Sequence, residues 1–137
     1  MPRRALSAVS IAAVCVLAAG CGARNDKPFT AKGSAGCFTK KGFTQVTIDP
    51  LKVGFIAGFA ENGGLKATAG NGNVLTVAFT ADSTGVASTK QAFRTHAPPK
   101  LRPRMHDIME SERNAVLVWT VSPTPQQLAD ATGCLHP

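Results

Sequence analysis

The first twenty-one residues limit what the rest of the chain can become. MPRR is followed by ALSAVSIAAVCVLAAG and then Cys21. Arg3 and Arg4 make a short positive start, and residues 5 to 19 carry no charge. The small residues Ala18, Ala19 and Gly20 precede the cysteine. This is the layout of a secretory signal peptide. The apolar run is shorter than the ~20 residues that cross a bilayer comfortably, so a retained transmembrane helix is the weaker alternative. Export places the remaining chain where thiols oxidise, and a domain that folds there can be closed by a disulfide.

Leu17-Ala18-Ala19-Gly20-Cys21 resembles the lipobox of bacterial lipoproteins, with Ala18 three before the cysteine and Leu17 one step earlier. The resemblance covers only the first 21 residues. It implies removal of residues 1–20 and a thioether-linked diacylglycerol on Cys21, with acyl chains of the palmitate kind. Two such chains hold a protein stably on a membrane, because each buried CH₂ contributes ~0.8 kcal/mol. The implied location is the extracytoplasmic side of a cell membrane, by lipid anchor.

Four cysteines are present, Cys15, Cys21, Cys37 and Cys134. On this reading Cys15 leaves with the signal and Cys21 takes the lipid. Cys37 and Cys134 then form an even pair in an exported chain, which reads as a disulfide. The loop it closes spans roughly 100 residues, worth up to ~4.7 kcal/mol in the chain-entropy model.

Past residue 20 about 117 residues remain, enough for one domain with a core. Residues 21–36 hold the lipidated cysteine and GARNDKPFTAKGSAG, which is small, polar and aperiodic. It reads as a flexible tether. Residues 37–137 form the expected domain.

Within it, Phe43 to Asp49 alternates β-branched residues and reads as a strand. Asp49-Pro50 is a helix start, and Leu51, Phe55 and Phe59, with Ile56, share one helical face. Asn62-Gly63-Gly64 is the stop. The rival is a strand, since positions 51, 53, 55, 57 and 59 are also apolar. Leu65–Ala69 and Val74–Thr80 flank Gly70-Asn71-Gly72-Asn73, a hairpin turn. Asp82, Ser83 or Thr84 caps a helix that runs to His96 and stops before Pro98-Pro99. Met105 to Glu112 is a short helix with Met105, Ile108 and Met109 inward. Ala115–Val121 is a central strand. Thr124 and Gln127 form a capping box on a last helix ending near Gly133. The order β-α-β-β-α-β plus a helix predicts an α+β fold of the ferredoxin-like split βαβ type, an antiparallel sheet with helices on one face.

Catalytic signatures are missing. The glycines from 63 to 72 lack the G-K-[ST] ending of a phosphate loop, and G-x-S-x-G, H-E-x-x-H and C-x-x-C do not occur. Asp107, Glu110 and Glu112 lie in a polar segment where solvated carboxylates are expected. A non-enzymatic protein without a cofactor is therefore expected. The most pronounced local feature is basic: Arg94, His96, Lys100, Arg102, Arg104 and His106. Excess cations attract polyanions, and for an anchored envelope protein those are anionic lipids or wall polymers. Nucleic acid is not expected, because the protein is exported, it has no tyrosine and the stretch holds no aromatic residue. The function expected is a membrane-anchored lipoprotein that presents a small binding or interaction domain. The alternative is a carrier of a small ligand or of copper or zinc through His96, His106 and the nearby methionines.

Overall fold

The structure is a computed structural model that describes residues 26–137. Cys21 and the signal segment lie outside the described residues. The described elements run α1 (Ala31–Lys40), β1 (Thr44–Thr47), α2 (Phe55–Gly58), β2 (Gly64–Thr68), β3 (Val74–Phe79), α3 (Val86–His96), α4 (Met105–Ile108), β4 (Met109–Glu112), β5 (Ala115–Trp119) and α5 (Pro125–Gly133). The strands form one sheet in the order β1-β2-β3-β5-β4, every neighbouring pair antiparallel.

The pleat explains the layering. Side chains alternate across a strand, so Leu75, Val77 and Phe79 share one face of β3 with Leu65, Leu117 and Trp119, the residues their register aligns. On that face Phe38 of α1 meets Phe43 edge to face at 5.1 Å, and Phe43 approaches Trp119 at 6.5 Å. The Cys37–Cys134 disulfide (S–S 2.05 Å) joins α1 to the end of α5, where Cys134 is fully buried in the same cluster. Ala78 points to the opposite face, where it packs with Val53 and Ala57, and Phe93 of α3 joins them. Helices thus cover both faces.

The α+β class on an antiparallel sheet is observed. Its connectivity departs from the split βαβ arrangement, in which crossover helices place strands in parallel. Among the described residues no pair is parallel, and a fifth strand is present. That strand, β4, takes up the second half of the segment expected to be helical from 105 to 112. Met105 and Ile108 are buried in one helical turn as expected. The chain then extends and pairs with β5 through Met109↔Val118 to Glu112↔Ala115. Glu110 and Glu112 are exposed there, charges that blunt an edge strand.

Two further expectations are corrected. Residues 31–36 are not tether. Thr30 caps α1 by accepting from the Gly33 N–H at 2.9 Å, and the small residues serve close packing. Ser34 is completely buried, its hydroxyl 3.0 Å from the donating His136 N–H. A Cβ on Gly33 would collide with the Pro137 carbonyl. The long helix expected after Asp49 shrinks to one turn. Asp49 accepts from the Leu51 N–H at 3.0 Å as in a turn, and Gly54 takes φ +100°, which interrupts helical geometry. Val53 and Ala57 face the sheet in place of Leu51, Phe55 and Phe59. The backbone comes so near there that a Cβ on Gly64 would lie 2.5 Å from the Ala57 carbonyl oxygen. Only small side chains fit between.

Candidate functional site

The residues displaced from the core form the most unusual surface of the domain. Leu51 is 94% exposed, Phe55 77% and Phe59 78%, and Ile48 is exposed nearby in sequence. Phe55 and Phe59 lie one helical turn apart with their rings 5.0 Å from centre to centre. The loop folds back on itself, because a Cβ on Gly58 would stand 2.5 Å from the Pro50 carbonyl oxygen. Leu51 and Phe59 therefore leave the backbone at neighbouring points. A single exposed apolar residue is ordinary, whereas a cluster of three large ones marks an interaction surface.

Beside this turn runs an open groove of about 420 Å³, lined by Val53, Phe55, Ile56, Ala57, Phe93 and His96, among others. His96 ends α3 and belongs, with Arg94 before it, to the basic stretch singled out in the sequence. From Ser83 to His106 the chain contains five Lys and Arg and no Asp or Glu. Arg94, Lys100, Arg102 and Arg104 are all exposed. Arg102 also holds the connection after α3, donating from Nε to the Ala97 carbonyl at 3.0 Å.

On its other side the turn leads to the place where the N-terminal segment enters the domain. Asn62, three residues after Phe59, accepts at its carbonyl from the Ala31 N–H at 3.1 Å, and its Nδ2 donates to the Thr80 carbonyl at 2.8 Å. Asn114, buried in the two-residue connection between β4 and β5, donates from Nδ2 to the same Thr80 carbonyl at 2.7 Å and to Phe29 O at 2.9 Å. Its Oδ1 accepts from the Phe29 N–H at 2.8 Å. Arg113 lies over the Phe29 ring at 4.4 Å and donates to the Lys27 carbonyl at 2.9 Å. Two asparagines and one threonine carbonyl thus tie the N-terminal segment and the downstream end of the apolar turn to one point.

The remaining candidates sit as follows. Cys37 and Cys134 are joined. His96 and His106 are exposed, and His106 Nε2 lies 3.0 Å from an Asp107 carboxylate oxygen. Met105 and Met109 are buried in the core, so their thioethers serve packing. Among the described residues no three His, Cys, Asp or Glu side chains come together as a metal site. Glu110, Glu112 and Asp107 face solvent. Gly70 to Asn73 turns the β2–β3 hairpin, with Gly72 at φ +83° and the Ala69 N–H donating to Asn73 O at 2.9 Å. Among the described residues no helix is long and apolar enough to cross a membrane.

The helical spacing of Leu51, Phe55 and Phe59 gives no sign that they stay in solvent, because one apolar face suits a buried helix equally well. Gly54 and Gly58 inside the supposed helix were the available signal. Asn62 and Asn114 carry no motif, since their partners are 18, 34 and 85 residues away.

These features define a disulfide-closed α+β domain that keeps an aromatic turn in solvent, between a basic helix end and the entry of its N-terminal segment. Comparison with protein-family models, with curated proteins and with solved structures returns no match.

Proposed function

We propose that the protein is a bacterial lipoprotein, anchored through Cys21 on the extracytoplasmic side of a membrane, whose domain is a non-enzymatic binding module held at that surface. The observation that carries this reading is the Cys37–Cys134 bond. Such bonds persist in oxidising compartments, which agrees with export. With those two cysteines joined and Cys15 inside the signal segment, Cys21 is the cysteine left for the lipid. The anchor also suits the domain's charge, because loss of Arg3 and Arg4 from a chain of formal charge +7 still leaves a clear excess of cations. Lys100, Arg102 and Arg104 are exposed, and exposed cations near an anionic surface are attracted to its headgroups or polymers.

The test is the intact mass of the mature protein isolated from membranes, before and after reduction. The expected mass is that of residues 21–137 plus a diacylglyceryl group, with a gain of two hydrogen atoms on reduction of the disulfide. A mature chain beginning elsewhere, or one without lipid, overturns the anchor. Substituting Lys100, Arg102 and Arg104 by Ala is expected to weaken adhesion to anionic vesicles at low salt. Unchanged adhesion removes the basic stretch from the binding surface.

A further inference from the structure

We infer that the apolar turn is a second membrane contact: Leu51, Phe55 and Phe59 enter the headgroup and upper acyl region of the same bilayer that holds the lipid on Cys21. This rests on the anchored reading above.

Three observations carry it. The first is the exposure itself, two phenyl rings in tilted contact and a leucine on one folded turn. Aromatic and leucine side chains on an otherwise polar, cationic surface are the pattern by which interfacial segments settle into a bilayer. The second is the short connection. From Cys21 to Phe29 there are eight residues, which in any arrangement span no more than about 29 Å. Phe29 is fixed to Asn114, and Ala31 to Asn62, three residues from Phe59. A lipid on Cys21 is therefore held within about 29 Å of Phe29, and Ala31, two residues further on, is bonded to the downstream end of the turn. The third is charge. The groove beside Phe55 is lined on one side by Phe93 and His96 of α3, inside a stretch of 24 residues, from Ser83 to His106, that has no carboxylate. The exposed cations of that stretch, which includes the helix lining the groove, suit an anionic leaflet. The exposed Glu61 and the Asp49–Lys52 pair at 3.4 Å are the local exceptions, and Asp49 is partly neutralised by that pair.

This occupant also explains why the turn is built as it is. Val53 and Ala57 hold it to the sheet from beneath. The larger residues at 51, 55 and 59 contribute nothing to the core and face outward.

The experiment uses the full lipoprotein, purified in detergent and reconstituted into phosphatidylglycerol–phosphatidylethanolamine vesicles. Phe55→Trp adds an indole at an exposed position, while the native Trp119 is 1% exposed and supplies a constant background. Flotation reads the anchor. Fluorescence in vesicles whose acyl chains are brominated near the glycerol end reads the turn. The expected result is a blue shift of the added indole and loss of most of its emission in brominated vesicles, with the wild-type signal unchanged. Equal emission in brominated and plain vesicles, in protein that floats, overturns the inference and leaves the anchor standing. A blue shift without quenching also overturns it, because the turn is then covered by protein, such as a second copy of the chain. A chain that does not float refutes the anchored reading, and the inference falls with it.

Discussion

Asn114 joins three segments that are far apart in the chain. It is buried and uses one side chain to satisfy a donor and two acceptors from segments far apart in the sequence. Asn114→Ala leaves those groups unpaired, at ~1–3 kcal/mol for a buried polar group. The expected loss is at least ~2 kcal/mol by urea unfolding, with earlier proteolysis of the N-terminal segment. Trp119 is the opposite case. Its Nε1 is buried without an acceptor, so its burial carries a penalty that the ring's packing has to offset. Trp119→Phe removes that donor together with ring volume, and is expected to cost less than Leu117→Ala, for which ~2–5 kcal/mol is usual. Equal losses in thermal or urea unfolding would contradict this. Asp82 titrates below the ordinary aspartate range because the Thr84 hydroxyl, and then its N–H, donate to the carboxylate. A depressed folded value means stabilisation present above the unfolded aspartate range and lost as pH falls through the folded value. Asp82→Ala is therefore expected to flatten the acid side of the stability–pH curve.

At the scale of elements, the turn from 51 to 59 separates packing from presentation. Val53 is buried and Phe55 and Phe59 are not. Phe55→Ser with Phe59→Ser is expected to leave stability within about ±0.5 kcal/mol per site, whereas Val53→Ala removes a buried side chain worth ~1.5–3 kcal/mol. Thermal unfolding of the two variants compares them directly; a large loss from the serine pair would mean that the phenyl rings hold the fold. Capping was readable at this scale. The reciprocal Thr124–Gln127 box on α5 is present as the residue types suggest, whereas Asp82 caps a 3-10 turn at Ser83–Gly85 that leads into α3, whose own N-cap Gly85 makes no side-chain bond. The hairpin at Gly70 to Asn73 and the interior strand β5 were equally readable, since turn chemistry and a continuous apolar run are local signals. Helix α1 was not, because Gly33, Ser34 and Gly36 look like linker residues. Their purpose appears only beside the C-terminal segment. Strand β4 was hidden for a similar reason: MESE has little strand character alone and is extended by pairing with β5.

For the whole molecule, the disulfide closes a separation of 97 residues and ties the first helix to the last. Joining ends so far apart in the chain is worth up to ~4.7 kcal/mol in the entropic model. Replacing both cysteines by Ala is expected to lower the urea midpoint strongly while leaving the far-UV spectrum near native at low temperature. An unchanged midpoint would show that the core and the Asn114 network suffice. What the residues determined by themselves were the local and countable features: a cysteine pair, a capping box, a hairpin and an apolar strand. The tertiary structure decided the strand order, the helices on both faces, and above all which apolar residues face solvent. The physical reason is that periodicity identifies a stripe but not its partner. The stripe at 51, 55 and 59 suits a core only if the sheet beneath has room for it. Gly64 and Ala78 bring the backbones too close, so the smaller Val53 and Ala57 turn inward and the large side chains are left outside.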